Sequence, residues 1–202
     1  MTFKQWIENY WYHYKWHTII GLFLVLTLAV GITQCATKPK YDSNCVLYCD
    51  RFVHDNTVAA LEEAFEKRIA DIDGNGTVAF QVYNLSYDSD GTNVAQSTFS
   101  NSQKLMATAS SSDYVLYVVD QYGFDRLSKE GLFETYTILP DGNHTAWNWK
   151  GSALQQEMSS YKLPENLYFC VRKIAGNTDA SAEAEQRAEY AVSVIQALMK
   201  EQ

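Results

Sequence analysis

The residues whose spacing most resembles a chemical site are Asp71, Asp73 and Asn75, in the segment DIDGNGTV. They place oxygen-bearing side chains at the first, third and fifth positions of a calcium loop, and Gly76 fills the glycine position. The twelfth position is Val82, where such a loop needs a carboxylate. Because Asp, Asn and Gly also form tight turns without any ion, the segment favours a helix-to-strand turn, with a weak calcium site as the alternative.

Residue types used in hydrolysis are present without a recognisable catalytic arrangement. His54 and His144 are the histidines outside the N-terminal segment, and a catalytic triad would also need an activated nucleophile. The sequence has no G-x-S-x-G elbow, no P-loop and no G-x-G-x-x-G loop. We therefore expect a non-catalytic protein without a cofactor, and an envelope hydrolase is the least favoured alternative.

Recognition of a ligand is better supported than catalysis. In open α/β sheets, ligands bind beyond the carboxyl ends of the strands. Polar or aromatic side chains follow three of the strands predicted below. The candidate ligand-binding residues at these strand ends are Arg51, Asp120, Gln121, Tyr122 and Arg172.

Two tryptophans extend this set of candidates. Trp147 and Trp149 are two residues apart, so both indoles face the same side if the segment is extended. As a pair they are suited to stacking on a sugar or holding a partner. The alternative is that they cover one edge of the hydrophobic core.

The cysteines do not indicate whether the protein lies in an oxidising or a reducing compartment. Cys45 and Cys49 are too far apart along one strand to form a disulfide, at about 13 Å. Cys170 would pair with one of them only if their two strands were neighbours. Buried free thiols are the favoured interpretation.

A membrane span is the clearest feature of the sequence. Residues 18–37 carry no charge, and their central part, IIGLFLVLTLAVGI, is almost wholly apolar. At about 1.5 Å per residue, this segment spans the roughly 30 Å of a bilayer core. We predict a transmembrane helix over residues 18–37, with a cleaved signal peptide or a buried core helix as alternatives.

The preceding residues 1–17 form an aromatic leader. Trp and Tyr settle at the headgroup level of membranes, and Thr2 with Gln5 matches a reciprocal helix cap. These features predict a short interfacial helix before the span. The aromatic residues that recur at helical spacing are Phe3, Trp6, Tyr10 and Tyr14.

The charge of the chain bears on its binding partners and on the orientation of the predicted membrane span. The chain has 16 basic and 24 acidic residues and a net charge of −8, which argues against nucleic acid as a partner. Two lysines lie on each side of the span, so basic residues do not set its orientation. Because long acidic segments translocate readily, we expect a cell-membrane protein with a cytoplasmic N-terminus and an extracytoplasmic C-terminal domain.

After a linker at residues 38–43, apolar runs and helical patterns alternate through a domain at residues 44–202. This alternation predicts an α/β fold with an open, mainly parallel sheet and helices on both faces. The run YVLYVV is unbroken and is typical of a central strand buried on both faces. The predicted strands are 45–49, 77–85, 114–119 and 167–171, and the predicted helices are 55–70, 93–109, 120–130, 152–160 and 180–200.

A resemblance adds to this interpretation. The aromatic leader, the single span, CVLYCDRF, DIDGNGTVAFQVYNL and SSDYVLYVVDQYGFDRLSKEGLFE resemble small single-pass membrane-anchored proteins of Gram-positive anaerobes. Residues 113–133 also resemble part of extracellular solute-binding proteins. Because the domain is too short for the two lobes of such proteins, the resemblance implies one lobe, or a relative that kept the fold and lost the cleft.

Three functions follow in order of preference. The first is a non-catalytic, membrane-tethered extracytoplasmic domain that binds a small polar ligand or interacts with a partner. The second is a structural subunit that docks onto another envelope protein without a small ligand. The third is an envelope hydrolase. In each case the lipid bilayer holds residues 18–37.

Overall fold

The computed structural model describes residues 2–36, 41–72, 74–87, 94–111, 113–133, 146–173 and 180–201. Asp73 and His144 lie outside these residues, as does the first half of the linker at 38–43. The chain divides into two compact units, Met1–Lys40 and Tyr41–Gln202.

The N-terminal unit consists of one helix, α1, which runs without a break from Phe3 to Ala36. The Thr2 amide donates to Gln5 Oε1 at 3.0 Å, which is one half of the expected reciprocal cap. The predicted interfacial helix and the predicted span are therefore parts of a single helix. Within the described residues, α1 is the helix long and apolar enough to cross a membrane, with a mean hydropathy of 1.9 over its most apolar window.

The second unit is an α/β domain built on one five-stranded sheet. The predicted helices are all present, and the sheet contains one strand that the sequence did not predict, at residues 146–148. The elements are β1 Ser43–Tyr48, α2 Asp55–Glu66, β2 Phe80–Asn84, α3 Val94–Ser110, β3 Leu116–Val119, α4 Gln121–Lys129, β4 Ala146–Asn148, α5 Ala153–Glu157 with a 3₁₀ turn Met158–Ser160, β5 Tyr168–Val171 and α6 Ala180–Met199.

The strand order is β2-β1-β3-β5-β4, which puts β3 at the centre as expected. β1 pairs in parallel with both β2 and β3. β5 is antiparallel to β3 and to β4. Four strands therefore share one direction and β5 opposes them, so the sheet is mixed rather than purely parallel.

Both faces of the sheet are covered. On one face, Leu116 and Val118 of β3 belong to a cluster that includes buried side chains of α2, α5 and α6. On the other face, Tyr117 and Val119 belong to a cluster that includes Leu105 of α3 and side chains of α4. The expectation that this apolar strand lies between two helical layers is confirmed.

Two contacts attach α6 and the residues just after it to the segment that follows α2. The Arg68 guanidinium lies 2.7 Å from the Glu201 carboxylate, and the Tyr190 hydroxyl donates to the Ala70 carbonyl at 3.0 Å. These contacts supplement the apolar face of α6, whose side chains complete the first cluster.

The outer edge of β2 is protected by carboxylates from α2. The Val82 amide donates to Glu62 Oε1 at 2.8 Å, and the Phe80 amide donates to Glu66 Oε1 at 3.1 Å. The two glutamates are one helical turn apart, and the two amides are two residues apart along the strand. Two amides that would otherwise be unpaired at a sheet edge are thereby satisfied.

The cysteines of the domain are buried free thiols. β3 separates β1 from β5, and Cys170 lies in the cluster opposite the one that holds Cys45 and Cys49. The alternative of a disulfide to Cys170 is therefore wrong. Burial raises the pKa of the Cys49 thiol to about 12, and the neighbouring Asp120 carboxylate adds to this effect.

We expect these three thiols to be inert in the native protein. In a Cys35→Ser chain, maleimide should label Cys45, Cys49 and Cys170 only after unfolding, because each is buried and reaction needs an accessible thiolate. Mass spectrometry of native and guanidinium-treated protein measures the labelling. Rapid labelling of native protein would contradict the burial of these thiols.

Candidate functional site

The candidate site lies at the edge of the sheet where β1, β2 and β3 end, which we call the carboxyl edge. β1 and β3 are parallel neighbours, and the helices that follow them, α2 and α4, lie on opposite faces. The chain therefore leaves these two strands in opposite directions. Such a point in a doubly wound sheet opens a crevice where ligands bind.

Asp120 closes this crevice with its own carboxylate. Its Oδ1 accepts the Gly123 amide at 2.7 Å, which caps the N-terminus of α4. Its Oδ2 accepts the Asp50 amide at 2.7 Å, which ties the end of β1 to the end of β3. The α4 N-terminus therefore already holds an anionic group, which is the role that a bound phosphate plays at such helices.

Gly123 allows α4 to approach the sheet. A Cβ at this position would lie 2.9 Å from Tyr48 Cδ1 and 3.2 Å from Val119 Cβ. A side chain here would force α4 away from β1 and would weaken the Asp120 cap.

Two tyrosines lie near the Asp120 carboxylate. The rings of Tyr48 and Tyr87 are 4.9 Å apart, and Arg126 Nη1 donates to the Tyr48 hydroxyl at 3.5 Å. Burial raises the pKa of Tyr87, and the Asp120 carboxylate raises it further. Burial also raises the pKa of Tyr48, although Arg126 opposes this. Both hydroxyls therefore stay protonated at neutral pH.

Gln121 and Tyr122 differ in how available their side chains are to a ligand. Gln121 Oε1 accepts the Tyr168 hydroxyl at 2.5 Å, and its Nε2 donates to Asp125 at 3.0 Å. Its amide is thus engaged within the protein. Tyr122 is 60% exposed and presents its ring to solvent at this edge.

Arg51 connects the end of β1 to a cleft. Its Nη1 donates to the Lys162 carbonyl at 2.7 Å. The cleft has a volume of about 330 Å³ and is lined by Trp149 and by side chains between residues 155 and 165. Small-ligand sites range upward from about 300 Å³, so the cleft suits a ligand of the size of one sugar or one amino acid. Sequence reasoning missed this segment because its residues lie in a short helix and a loop that carry no motif.

Trp147 and Trp149 are core residues, with exposed fractions of 1% and 2%. Both indoles pack against the Phe169 ring, with centroids 5.1 Å and 6.5 Å away. Trp149 Nε1 donates to the Glu165 carbonyl at 3.1 Å. Both residues therefore cover an edge of the core, which is one of the two interpretations of the pair, and neither indole is exposed for stacking on a sugar. Trp149 contributes the inner wall of the cleft.

Arg172 does not join the other candidates. Because β5 is antiparallel to β3, Val171 pairs with Leu116 at the start of β3 rather than at its end. The Arg172 amide donates to the Val115 carbonyl at 2.8 Å, and its guanidinium donates to the Ser111 carbonyl. Arg172 therefore lies at the edge of the sheet opposite Asp120, and its grouping with Arg51 and Asp120 is wrong.

The Asp71 loop forms a turn in which side-chain oxygens accept backbone amides. Asp71 accepts the Gly74 and Gly76 amides, each at 2.8 Å, and Asn75 Oδ1 accepts the Thr77 amide at 2.8 Å. Val82 lies within β2 and supplies no oxygen side chain. Among the described residues, which exclude Asp73, no group of three or more His, Cys, Asp or Glu is placed to hold a metal ion.

We expect the Asp71 loop to stabilise the fold without calcium. Asp71→Ala should lower the free energy of unfolding by about 0.5–1.5 kcal/mol, because two exposed backbone amides exchange a carboxylate acceptor for water. The loss should be the same in chelator and in about 1 mM calcium, the affinity range of extracellular modules. Thermal melting under both conditions measures this. A large rise in Tm with calcium in the wild type alone would contradict it.

Asp120 should contribute more to stability than to ligand binding. Asp120→Ala removes a helix cap worth about 0.5–2 kcal/mol and a charged hydrogen bond worth about 1.5–3 kcal/mol. Asp120→Asn should lose less, because one oxygen acceptor remains. Asp125→Ala is the matched control in the same helix, since its Gln121 contact is exposed. Denaturant titration measures all three, and equal effects at both positions would contradict the capping role.

No protein-family model matches the chain, and no curated protein and no solved structure is significantly similar to it.

Proposed function

We propose that this chain is a non-catalytic binding or interaction domain, tethered to the cell membrane by α1 and carried on its extracytoplasmic side. The observation that carries the proposal is the exposure of α1. The side chains of its most apolar window are exposed, while the domain at Tyr41–Gln202 has its own core. A bilayer is the environment that satisfies such a helix.

The binding role is supported by the cleft beside Arg51. Its wall combines apolar side chains such as Met158 and Leu163 with neutral polar groups such as Gln156 and Ser159. Lys162 and Glu165 also line the cleft. This combination suits a small polar ligand, since apolar walls supply contact area and a few polar groups supply orientation. The carboxyl edge supports a non-catalytic role, because Asp120 and Gln121 are already engaged in internal hydrogen bonds.

A docking subunit is the second candidate, and α3 favours it. Phe99 and Met106 are seven residues apart on this helix, so they share one face. Both are more than half exposed. Apolar side chains at a solvent face are typical of protein interfaces.

Membrane extraction tests the tether. The intact chain should remain in the pellet after alkaline carbonate washing, and a chain that begins at Tyr41 should be soluble. Protease treatment of intact cells should then digest the domain, since the proposal puts it outside. A soluble mature chain that begins after residue 31, or a protected domain, would contradict the tether or its orientation respectively.

A thermal-shift panel separates the two candidates. The chain from Tyr41 is melted with neutral sugars, amino acids and short peptides. Two variants of this chain are melted with the same panel. Ser159→Trp fills the cleft, and Gln103→Trp is a matched change at an exposed position of α3. A ligand of the cleft should raise the Tm of the wild type and of Gln103→Trp but not of Ser159→Trp. No shift with any member of the panel would favour the docking subunit.

A further inference from the structure

The exposed aromatic residues at the start of α1 form a continuous ladder. The stacked ring pairs have centroids 6.5 Å apart for Phe3 and Trp6, 5.9 Å for Trp6 and Tyr10, and 5.4 Å for Tyr10 and Tyr14. The Tyr10 and Thr18 hydroxyls are 3.0 Å apart, which holds the Tyr10 ring along the helix. We call Phe3, Trp6, Tyr10 and Tyr14 the aromatic ladder.

The charged residues of the same segment lie away from the aromatic ladder. Lys4, Glu8 and Lys15 are spaced by four and by seven residues, so they follow one line along α1. At about 3.6 residues per turn, this line lies roughly 120° around the helix from the aromatic ladder. The aromatic ladder therefore carries no Lys, Arg, Asp or Glu, and His17 lies beside it with its ring 6.1 Å from that of Tyr14.

The aromatic ladder is too long for the headgroup layer. Charges at Lys4, Glu8 and Lys15 keep this part of α1 out of the hydrocarbon, which the uncharged residues 18–37 fill. Phe3 lies 15 residues before Thr18, about 22 Å along an unbroken helix. The headgroup layer is about 5–8 Å thick on each side, and transmembrane helices tilt by about 20° on average. The Phe3 end of the ladder therefore extends into water.

We propose that α1 self-associates as a parallel dimer, in which the aromatic ladder of one copy packs on that of a second copy. The proposal rests on membrane insertion of α1, which gives all copies the same direction and depth. Packing two ladders removes their rings from water, and aromatic side chains contribute the largest contact areas.

The chemistry of the face identifies a second copy as its occupant. A two-fold axis along the membrane normal places each rung opposite the same rung, so an uncharged row of rings is complementary to itself. A second copy is also the partner that membrane insertion holds at the same depth and in the same direction, so each rung meets its own counterpart. Gly21 follows Tyr14 by two turns on the ladder side and has no side chain, which leaves room for a second helix inside the bilayer.

Cross-linking tests the geometry in the full chain. Tyr10→Cys and Tyr12→Cys, each with Cys35→Ser, are reconstituted in phosphatidylcholine vesicles and oxidised with copper phenanthroline. Tyr10 is on the ladder, and Tyr12 is an aromatic residue of the same type on another face. We expect a disulfide-linked dimer for Tyr10→Cys and little for Tyr12→Cys or for Cys35→Ser alone. Equal cross-linking of both, or of neither, would overturn the proposal.

Dimer fraction gives a second measurement that does not depend on a cysteine in the ladder. Single-molecule photobleaching in vesicles compares the wild type with Trp6→Ser/Tyr10→Ser and with Trp16→Ser/Tyr12→Ser, which removes the same residue types elsewhere. The ladder variant should dimerise about tenfold more weakly or worse, and the control should match the wild type. A wild type that bleaches in one step at every protein density overturns the dimer alone. A chain that fails to float with vesicles overturns the tether, and the dimer with it.

Discussion

Deletion of residues 180–202 should abolish cooperative unfolding of the domain. This segment contains α6, whose large apolar side chains Val192, Val194, Ile195 and Leu198 are buried in the first cluster. Each contributes about 1.5–3 kcal/mol, against a typical total stability of about 5–15 kcal/mol. Their removal uncovers one face of the sheet, and the remaining contacts do not offset that loss.

Circular dichroism and calorimetry of chains 41–202 and 41–179 measure the effect. The longer chain should melt in one transition, while the shorter should show no calorimetric peak. A matched control is Arg68→Met, which breaks the ion pairs to Glu157 and Glu201 but keeps α6. It should lower the Tm without loss of cooperativity. A shortened chain that melts at nearly the same temperature would mean that α6 is peripheral.

Phe169→Ala should strongly destabilise the domain. The Phe169 side chain is fully buried and its ring contacts Phe65, Trp147 and Trp149. Replacement of a core Phe by Ala costs about 3–5 kcal/mol, because the lost contacts and the remaining cavity both destabilise the fold.

Phe99→Ala is the matched control, since Phe99 is 65% exposed and surface changes usually stay within about 0.5 kcal/mol. Urea titration followed by tryptophan fluorescence measures both variants. In Phe169→Ala the emission should also shift to the red as water reaches the two indoles. Similar losses for both variants would contradict the core position of Phe169.

The layers of the fold could be predicted because they depend on local patterns. The run YVLYVV has no polar position, so only a strand covered on both faces could contain it. Asp120 before a helical pattern and Gly131 after it also mark α4 correctly, since Asp is a preferred N-cap and Gly131 has a positive φ of 72°.

The direction of β5 and the existence of β4 could not be predicted in the same way. β4 has three residues, which is too short for an alternating pattern. The direction of β5 depends on pairing with β3 across some 50 residues of chain, and no local sequence signal encodes it. That one reversal moves Arg172 to the other edge of the sheet and removes it from the candidate site.

The candidate site was harder to predict because residue type alone does not show which groups are already satisfied. Asp120 has the position of a ligand-binding residue and equally the position of an N-cap, and the Asp50 and Gly123 amides decide between them. Trp149 likewise has the residue type of a sugar platform, yet the Glu165 carbonyl receives its indole N–H.

The glutamates on α2 keep further strands from adding to the sheet at β2. Attachment to a membrane confines copies of a protein to two dimensions, where encounters between them are frequent. An open strand edge would then let the sheets of different copies pair edge to edge into a fibre. With Glu62 and Glu66 holding the amides of β2, an incoming strand would have to displace two charged acceptors before gaining any hydrogen bond of its own. Frequent encounters between copies therefore do not lead to polymerisation through this edge.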